Sequence, residues 1–373
     1  MSHVIRTSAS RSFRSCRRRW DWAYRQHYIP LEEPKPLEFG RAFHAAFEEI
    51  YEPSRWDSTT PVDKLELATN RLIAECEKQR ENYLKQTSTP RLDRDGQDDY
   101  DGRIELGKEM LKHYVLKVHP VQDEWFKPVK VELEFEVPIT DELGLDVLCY
   151  NSPNCGQVHK NPDVVVHQGR VDAIIENLTN GGYYIVDWKT AAALRANEDL
   201  LWMDDQICRY CWALRLKMNI DIRGFLYVEI LKSFPQPPRL LSRRYNGCLY
   251  SQDKNAPTEY GIYKDTVSTG DIEAWDAGKY DAYLKFLLSD KAPKFYQRFR
   301  IEKSPVELEE IGRTVALEAQ DMVDENLRIY PSTGRFSCPS CAYKSPCAMQ
   351  MQGNDYMYTL DTIFGRVLDA NNY

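Results

Sequence analysis

Gly169-Arg170-Val171-Asp172 and, after a turn, Ile185-Val186-Asp187-Trp188-Lys189-Thr190 are the stretches whose reading decides the fold. Two apolar runs, 164–175 and 183–186, flank the segment Asn177-Leu178-Thr179-Asn180-Gly181-Gly182. β-Branched and aromatic runs broken by an Asn/Gly-rich segment read as a β-hairpin. Such a hairpin brings Asp172 close to Asp187. Side chains alternate along a strand, so Asp187 and Lys189 share one face and Trp188 points to the other. Two carboxylates and an ammonium converging on one point can hold a divalent cation and a water that it activates. An isolated Asp-x-Lys on a strand is more often a solvated face. Here the acids end strongly apolar strands, where charge is costly unless it has a task.

Outward from the hairpin, the pattern alternates between strands and helices. Residues 129–139 carry Val131, Leu133, Phe135 and Val137 on one face of a strand. Helical periodicity covers 39–51, 62–84, 103–118, 197–218, 272–288 and 306–327, and an N-terminal helix from Ser8 or Ser10 carries Cys16 and an aromatic stripe. In the helix over 39–51, Gly40, His44 and Glu48 fall on one face at i, i+4 and i+8. Further strands are expected at 224–231 and 240–245, and the polar, Asp-rich segment 91–102 reads as an exposed loop. Strands surrounded by helices indicate an α/β fold with a mixed sheet.

The chain has 373 residues, with 42% hydrophobic and 28% charged side chains, which fits a globular protein with a sizeable core. No apolar run approaches the roughly 18 residues of a membrane span, so no membrane partner is expected. A net charge of −8 argues against a protein coated in basic residues but leaves room for a local positive groove. The basic residues are clustered. Arg11, Arg14, Arg17, Arg18, Arg19 and Arg25 crowd one segment, and Arg239, Arg243 and Arg244 form a second group. Lys291, Lys294, Arg298, Arg300 and Lys303 form a third, interleaved with Phe295, Tyr296 and Phe299. Arginine with aromatics suits phosphate contact and base stacking, whereas each cluster alone also fits a solvated face.

Ten cysteines without a secretory signal suggest reduced thiols or metal ligands. Cys338-Pro339-Ser340-Cys341 followed by Cys347 supplies three thiolates for one metal centre. A fourth ligand is needed, and Cys16, in an arginine-rich setting that favours thiolate, is the natural candidate. Spacing alone favours zinc. Cys208 and Cys211 read as small core residues, Cys76 and Cys248 as single packed thiols. Cys149 and Cys155 with His159 form a weaker candidate zinc site.

Together these motifs resemble the PD-(D/E)xK nuclease superfamily, in its RecB-like branch with an iron–sulfur cluster, which includes Cas4 proteins and the exonuclease 5 group. The resemblance rests on Ser8-Ala9-Ser10 with Cys16, the segment 40–48, Asp172, Asp187-Trp188-Lys189-Thr190, the segment 206–210 and Cys338 to Cys347. It implies a mixed-sheet nuclease core flanked by helices, with N- and C-terminal segments joined at a four-cysteine metal cluster. The chain is then one nuclease domain over 1–373. Its clasp lies at 1–30 and 330–350, a helical region at 39–128, the catalytic core at 129–231, and an insertion with a basic segment at 232–303.

The resemblance also implies roles. His44, Asp172 and Asp187 would bind Mg²⁺ or Mn²⁺. Lys189 would orient the attacking water and stabilise transition-state charge. Gln206 and Tyr210 would brace the site and touch DNA. Cys16, Cys338, Cys341 and Cys347 would ligate a 4Fe–4S cluster, with zinc as the lesser alternative. The implied activity is a metal-dependent DNA exonuclease acting on single strands or ends in recombination, repair or phage DNA processing. It would work in the cytoplasm of a bacterial or phage-infected cell, or in mitochondria or the nucleus if eukaryotic. No GxxxxGK[ST] helicase motif accompanies it. Two alternatives stay open: a Cas4-like end-trimming enzyme beside an integrase or recombination partner, and an idle nucleic-acid-binding iron–sulfur or zinc scaffold.

Overall fold

The computed structural model describes residues 3–30, 35–86, 94–149 and 164–366. Its strands are β1 (His3–Ile5), β2 (Tyr28–Pro30), β3 (Phe126–Pro138), β4 (Val165–Asn177), β5 (Tyr183–Ala191), β6 (Ile222–Leu231), β7 (Leu240–Tyr245), β8 (Cys248–Tyr250), β9 (Tyr296–Glu302) and β10 (Phe364–Arg366). Six of them, β1, β3, β4, β5, β6 and β9, make one mixed sheet. The expected hairpin is β4–β5, antiparallel, with Ala173 opposite Val186 and Glu176 opposite Tyr183. β5 then runs parallel to β6 as far as Ala191–Leu231, and β6 pairs antiparallel with β9.

The position of β4 opens the site. β3 pairs with β4 along one edge, from Phe126–Asn177 to Pro138–Val166. The other edge is shared: β1 pairs in parallel with Val165 to His167, and β5 pairs with Ala173 to Glu176. Residues 168–172 lie between these two partners, so this edge of β4 parts from β5 just where Asp172 stands. A parted strand pair leaves backbone and side chains facing a cleft instead of a ladder.

Helices cover both faces of the sheet. On one face, Phe39, Phe43, Phe47 and Ile50 recur along the Lys35–Ile50 helix and pack on Trp188, Val186 and Val228, with Leu72 and Tyr114 behind them. On the other, the Thr7–Ser15, Asp205–Met218 and Pro305–Val323 helices bury Phe13, Cys211, Leu214 and Val315 against Ile174, Ile185 and Phe225. Burying each large apolar side chain contributes about 1.5–3 kcal/mol, so these two layers supply most of the driving force. A third cluster joins the β7–β8 hairpin to Tyr263, Tyr280 and Tyr283. A fourth, of Trp22, Tyr28, Tyr343, Leu360 and Phe364, sits where antiparallel β2 and β10 bring distant segments together. Among the described residues no helix is long and apolar enough to cross a membrane.

Several sequence expectations are corrected. Asp-rich residues 94–102 are not loop but the first half of the Arg94–His113 helix. Acidic residues near a helix N-terminus are favoured by its dipole, which the composition-based reading ignored. The N-terminal helix does not carry through Cys16, whose extended backbone (φ −165°) separates Thr7–Ser15 from Arg17–Trp20. The stretch 197–218 is two helices, Glu198–Trp202 and Asp205–Met218, the second starting where the Asp204 side chain accepts the Ile207 N–H. Residues 272–288 likewise divide into Ile272–Asp276 and Asp281–Leu287.

The third basic cluster is also internal in part. Arg298, on β9, donates to Asp123 at 2.5 Å and to the Tyr114 hydroxyl at 3.0 Å, and Lys303 donates to the Trp202 carbonyl at 2.6 Å. Asp123 is buried and also accepts from Tyr51 (2.6 Å) and His119 (2.7 Å). Burial alone would raise the Asp123 carboxyl, but His119, Arg298 and Tyr51 hold it below the usual carboxylate range. A depressed folded pKa stabilises the fold above the unfolded value, near 3.9, and that contribution is lost as pH falls through the folded one. Replacing Arg298 with Met should cost about 3–5 kcal/mol in urea unfolding at neutral pH, because it strands a buried carboxylate. The deficit should shrink as pH falls and that carboxylate takes a proton.

Candidate active site and cysteine cavity

The parted edge of β4 forms the wall of a cleft of about 1000 Å³. Its carboxylates come from two strands. The β3–β4 register places Glu132 opposite Asp172, and Val131–Ala173 and Leu133–Val171 flank them. Glu132 has φ +47°, a left-handed conformation that a non-glycine residue rarely adopts. Such strain persists where surrounding structure over-determines it, and it clusters at functional sites. The Lys35–Ile50 helix supplies His44, whose Nδ1 lies 3.2 Å from Asp172 Oδ1. The other Asp172 oxygen accepts the Trp188 backbone N–H at 2.8 Å, tying the two parted strands together.

The ligand atoms of His44, Glu132 and Asp172 lie within 4.8 Å of one another, and among the described residues no other His, Cys, Asp or Glu triplet does so. Asp187 is not in that group. Its Oδ1 accepts the Lys189 ammonium at 2.7 Å, while Trp188 between them is buried in the aromatic core, as alternation requires. Gln206 and Tyr210, one turn apart on the Asp205–Met218 helix, both line the cleft with Lys189. The Tyr210 ring meets Phe135 edge-on at 5.2 Å. Gly169 is what lets them in: a Cβ there would stand 2.6 Å from the Phe135 ring and 2.8 Å from that of Tyr210.

The charges are mutually tuned. Burial works against a charged His44, yet the hydrogen bond and charge of Asp172 hold its pKa above the ordinary value. Burial would raise Asp172, but His44, Lys189 and the Trp188 N–H keep it below the usual range. Burial pushes the Asp187 carboxyl up despite Lys189. Lys189, opposed by burial, is held above an ordinary lysine by Asp187 and Asp172, so it stays an ammonium at neutral pH.

Sequence reasoning missed Glu132 and most of the cationic lining. The single buried face expected for β3 is divided: Leu133, Phe135 and Val137 pack on the core beneath the Asp205–Met218 helix, Val131 packs on the opposite core, and Glu132 and Glu134 line the cleft. Only the register with β4 selects Glu132. Arg6, Arg41, Arg71 and Arg170 also line the cleft, Arg6 held by Gln168 Oε1 at 2.9 and 2.6 Å and Arg170 by Glu132 at 3.0 Å. Of the N-terminal arginine cluster, Arg11 reaches the cleft, whereas Arg14 is paired with Asp205.

Cys16, Cys338, Cys341 and Cys347 line a second cavity of about 420 Å³. Three of the sulfurs face donors: the Ser332 N–H on Cys16 (3.4 Å), the Gly334 N–H on Cys338 (3.2 Å) and Arg18 on Cys347 (3.6 Å). Cys76, Cys208, Cys211 and Cys248 are buried thiols, as expected of packing residues. Cys149 is buried too, while Cys155 and His159 lie outside the described residues.

A family model described as the PD-(D/E)XK nuclease superfamily matches residues 7–348. No curated protein matches the chain. The matched segment contains the strand pair that presents Asp172 and Lys189, the helix that presents His44, and five of the six strands of the mixed sheet. The chain therefore belongs to the PD-(D/E)XK nuclease superfamily, whose members are metal-dependent nucleases.

Proposed function

We propose that this nuclease is a DNA exonuclease working from the ends of single strands, with the whole chain acting as one unit. The observation that carries the reading is the His44–Glu132–Asp172 cluster beside the Lys189 ammonium, in a cleft lined by arginines. Two carboxylates and an imidazole suit manganese or magnesium, which His44, Glu132 and Asp172 would hold, with Asp187 as a further carboxylate beside Lys189. Such a cation supplies a Lewis acid for the phosphate and lowers the pKa of bound water.

The protein's own groups divide the remaining work. Lys189 is too firmly charged to act as a base, so its contribution is to stabilise negative charge building on the phosphate. Asp187 keeps that ammonium charged and aimed. Arg6, fixed by Gln168, grips a neighbouring phosphate, and Tyr210, hydrogen-bonded to Gln206, positions the strand. Iron–sulfur occupancy of the second cavity is supported by its four cysteines and its backbone donors to sulfur.

The test uses anaerobically purified full-length protein with 5′- or 3′-labelled single-stranded DNA and circular single-stranded DNA. With Mg²⁺ or Mn²⁺ the linear strand should shorten progressively from one end and the circle should survive, and EDTA should stop the reaction. Cleavage of the circle at a comparable rate would replace the exonuclease reading with an endonuclease. Cleavage in EDTA would sink the metal assignment.

A further inference from the structure

The two cavities are joined by one short helix. Thr7, Ser8 and Arg11 at its start line the active-site cleft, and Ser15 and Cys16 at its end line the cysteine cavity. Nine residues at about 1.5 Å each separate them by roughly 13 Å, or about four nucleotides of a stacked strand at ~3.4 Å each. Beyond that end, the segment after the Pro305–Val323 helix exposes two aromatic rings, Tyr330 (51% exposed) and Phe336 (90%).

The rings are not loose ornaments on a loop. Arg18 donates its backbone N–H to the Tyr330 carbonyl at 3.2 Å, and the Arg17 guanidinium lies between Phe13 (5.3 Å) and Tyr330 (5.4 Å). The Ser332 N–H is anchored on Cys16 Sγ. Arg335 lies over the Phe336 ring at 6.0 Å. An exposed phenylalanine by itself is unremarkable on a protein surface. Two exposed rings, each with a guanidinium, beyond the far end of a helix whose first turn lines the cleft, have the make-up of a single-strand platform.

We propose that Tyr330 and Phe336 stack bases of the substrate strand about four nucleotides from the reacting phosphate, with Arg11 and Arg335 meeting the intervening backbone. This deepens the nuclease reading and rests on it. The ligand is single-stranded DNA, because paired bases do not offer their faces to a side chain. Stacking is worth about 1–3 kcal/mol per base, so a platform of two rings makes affinity depend on length. It also gives the cysteine cavity a part in substrate binding, since Cys16 and Ser332 hold the platform in register with the helix.

The experiment measures anisotropy of fluorescein-labelled oligo-dT of 4 and 12 nucleotides with full-length protein in Ca²⁺, together with cleavage of both in Mn²⁺. Wild type should bind the 12-mer far more tightly than the 4-mer. Tyr330→Ala with Phe336→Ala should reduce that 12-mer to 4-mer affinity ratio about ten-fold or more, and Phe336→Trp should restore most of it. An unchanged ratio in the double variant, with cleavage intact, would overturn the platform and leave the nuclease standing. An equal loss of affinity for a blunt duplex would also overturn it, since stacking requires unpaired bases. A wild-type protein that cleaves neither oligonucleotide would remove the nuclease reading and this inference together.

Discussion

Replacing Lys189 with alanine should lower DNA cleavage by about 10²–10³-fold, the cost of losing one fixed donor at developing transition-state charge. Two acids hold the ammonium in place. Asp187 accepts from it at 2.7 Å, and Asp172 adds a second negative charge nearby, so it keeps its proton well above neutral pH. Its loss should therefore lower the rate without removing an ionisation from the wild-type pH profile between 6 and 9. The fold should survive. The Lys189 side chain is partly exposed, and Asp187, already pushed toward the protonated form by burial, can take a proton once its partner is gone. Binding of single-stranded DNA in Ca²⁺ and the urea midpoint check both points. Lys189→Arg should rescue poorly, because a planar guanidinium cannot reproduce a compact ammonium in that position. Cleavage by Lys189→Ala within two-fold of wild type would refute the role.

The second large effect concerns the cysteine cavity. Cys338→Ser should remove visible absorbance and bound iron from anaerobically purified protein, and Cys76→Ser should remove neither. Cys16 is more than 300 residues from Cys338 in sequence, so a group ligated by both closes a very long loop. Metal binding at such sites is folding free energy, of order 10 kcal/mol for structural zinc. Without it the 331–366 segment is held chiefly by the Trp22–Tyr28–Tyr343–Phe364 cluster, the β2–β10 pair and the Tyr343 hydroxyl on the Tyr28 carbonyl. Limited proteolysis should then cut 331–366 at least ten-fold faster, with the sheet and its two flanking cores still resistant. A colourless wild-type protein carrying stoichiometric zinc would overturn the iron–sulfur assignment.

Much of this molecule is legible without coordinates because its strongest signals are local. The hairpin of β4 and β5 follows from apolar runs around an Asn/Gly turn, and the shared face of Asp187 and Lys189 from period-two alternation. The Lys35–Ile50 helix follows from Phe39, Phe43 and Phe47, whose spacing also turns Gly40 and His44 toward the strand pair. Local signals also misled. Asp-rich composition concealed the start of the Arg94–His113 helix, and neither reading of the third basic cluster, phosphate contact or solvated face, fits Arg298, which serves Asp123 in the interior.

What the sequence by itself determined is the set of elements and the chemistry they carry: a mixed α/β core, an Asp/Asp-x-Lys strand pair, a histidine on a preceding helix and a cysteine-rich end. What only the tertiary structure decided is which acids meet. Register is a relation between strands distant in sequence, and a one-residue slip would send Glu132 to the opposite face. The pairing of β3 with β4 sets Glu132 across from Asp172, while β1 and β5 share the far edge of β4 and leave the gap that becomes the cleft. The same holds for the cationic lining and for the rings at Tyr330 and Phe336. Arginines and exposed aromatics occur throughout the chain, and only packing sorts those that brace the interior from those that face a substrate.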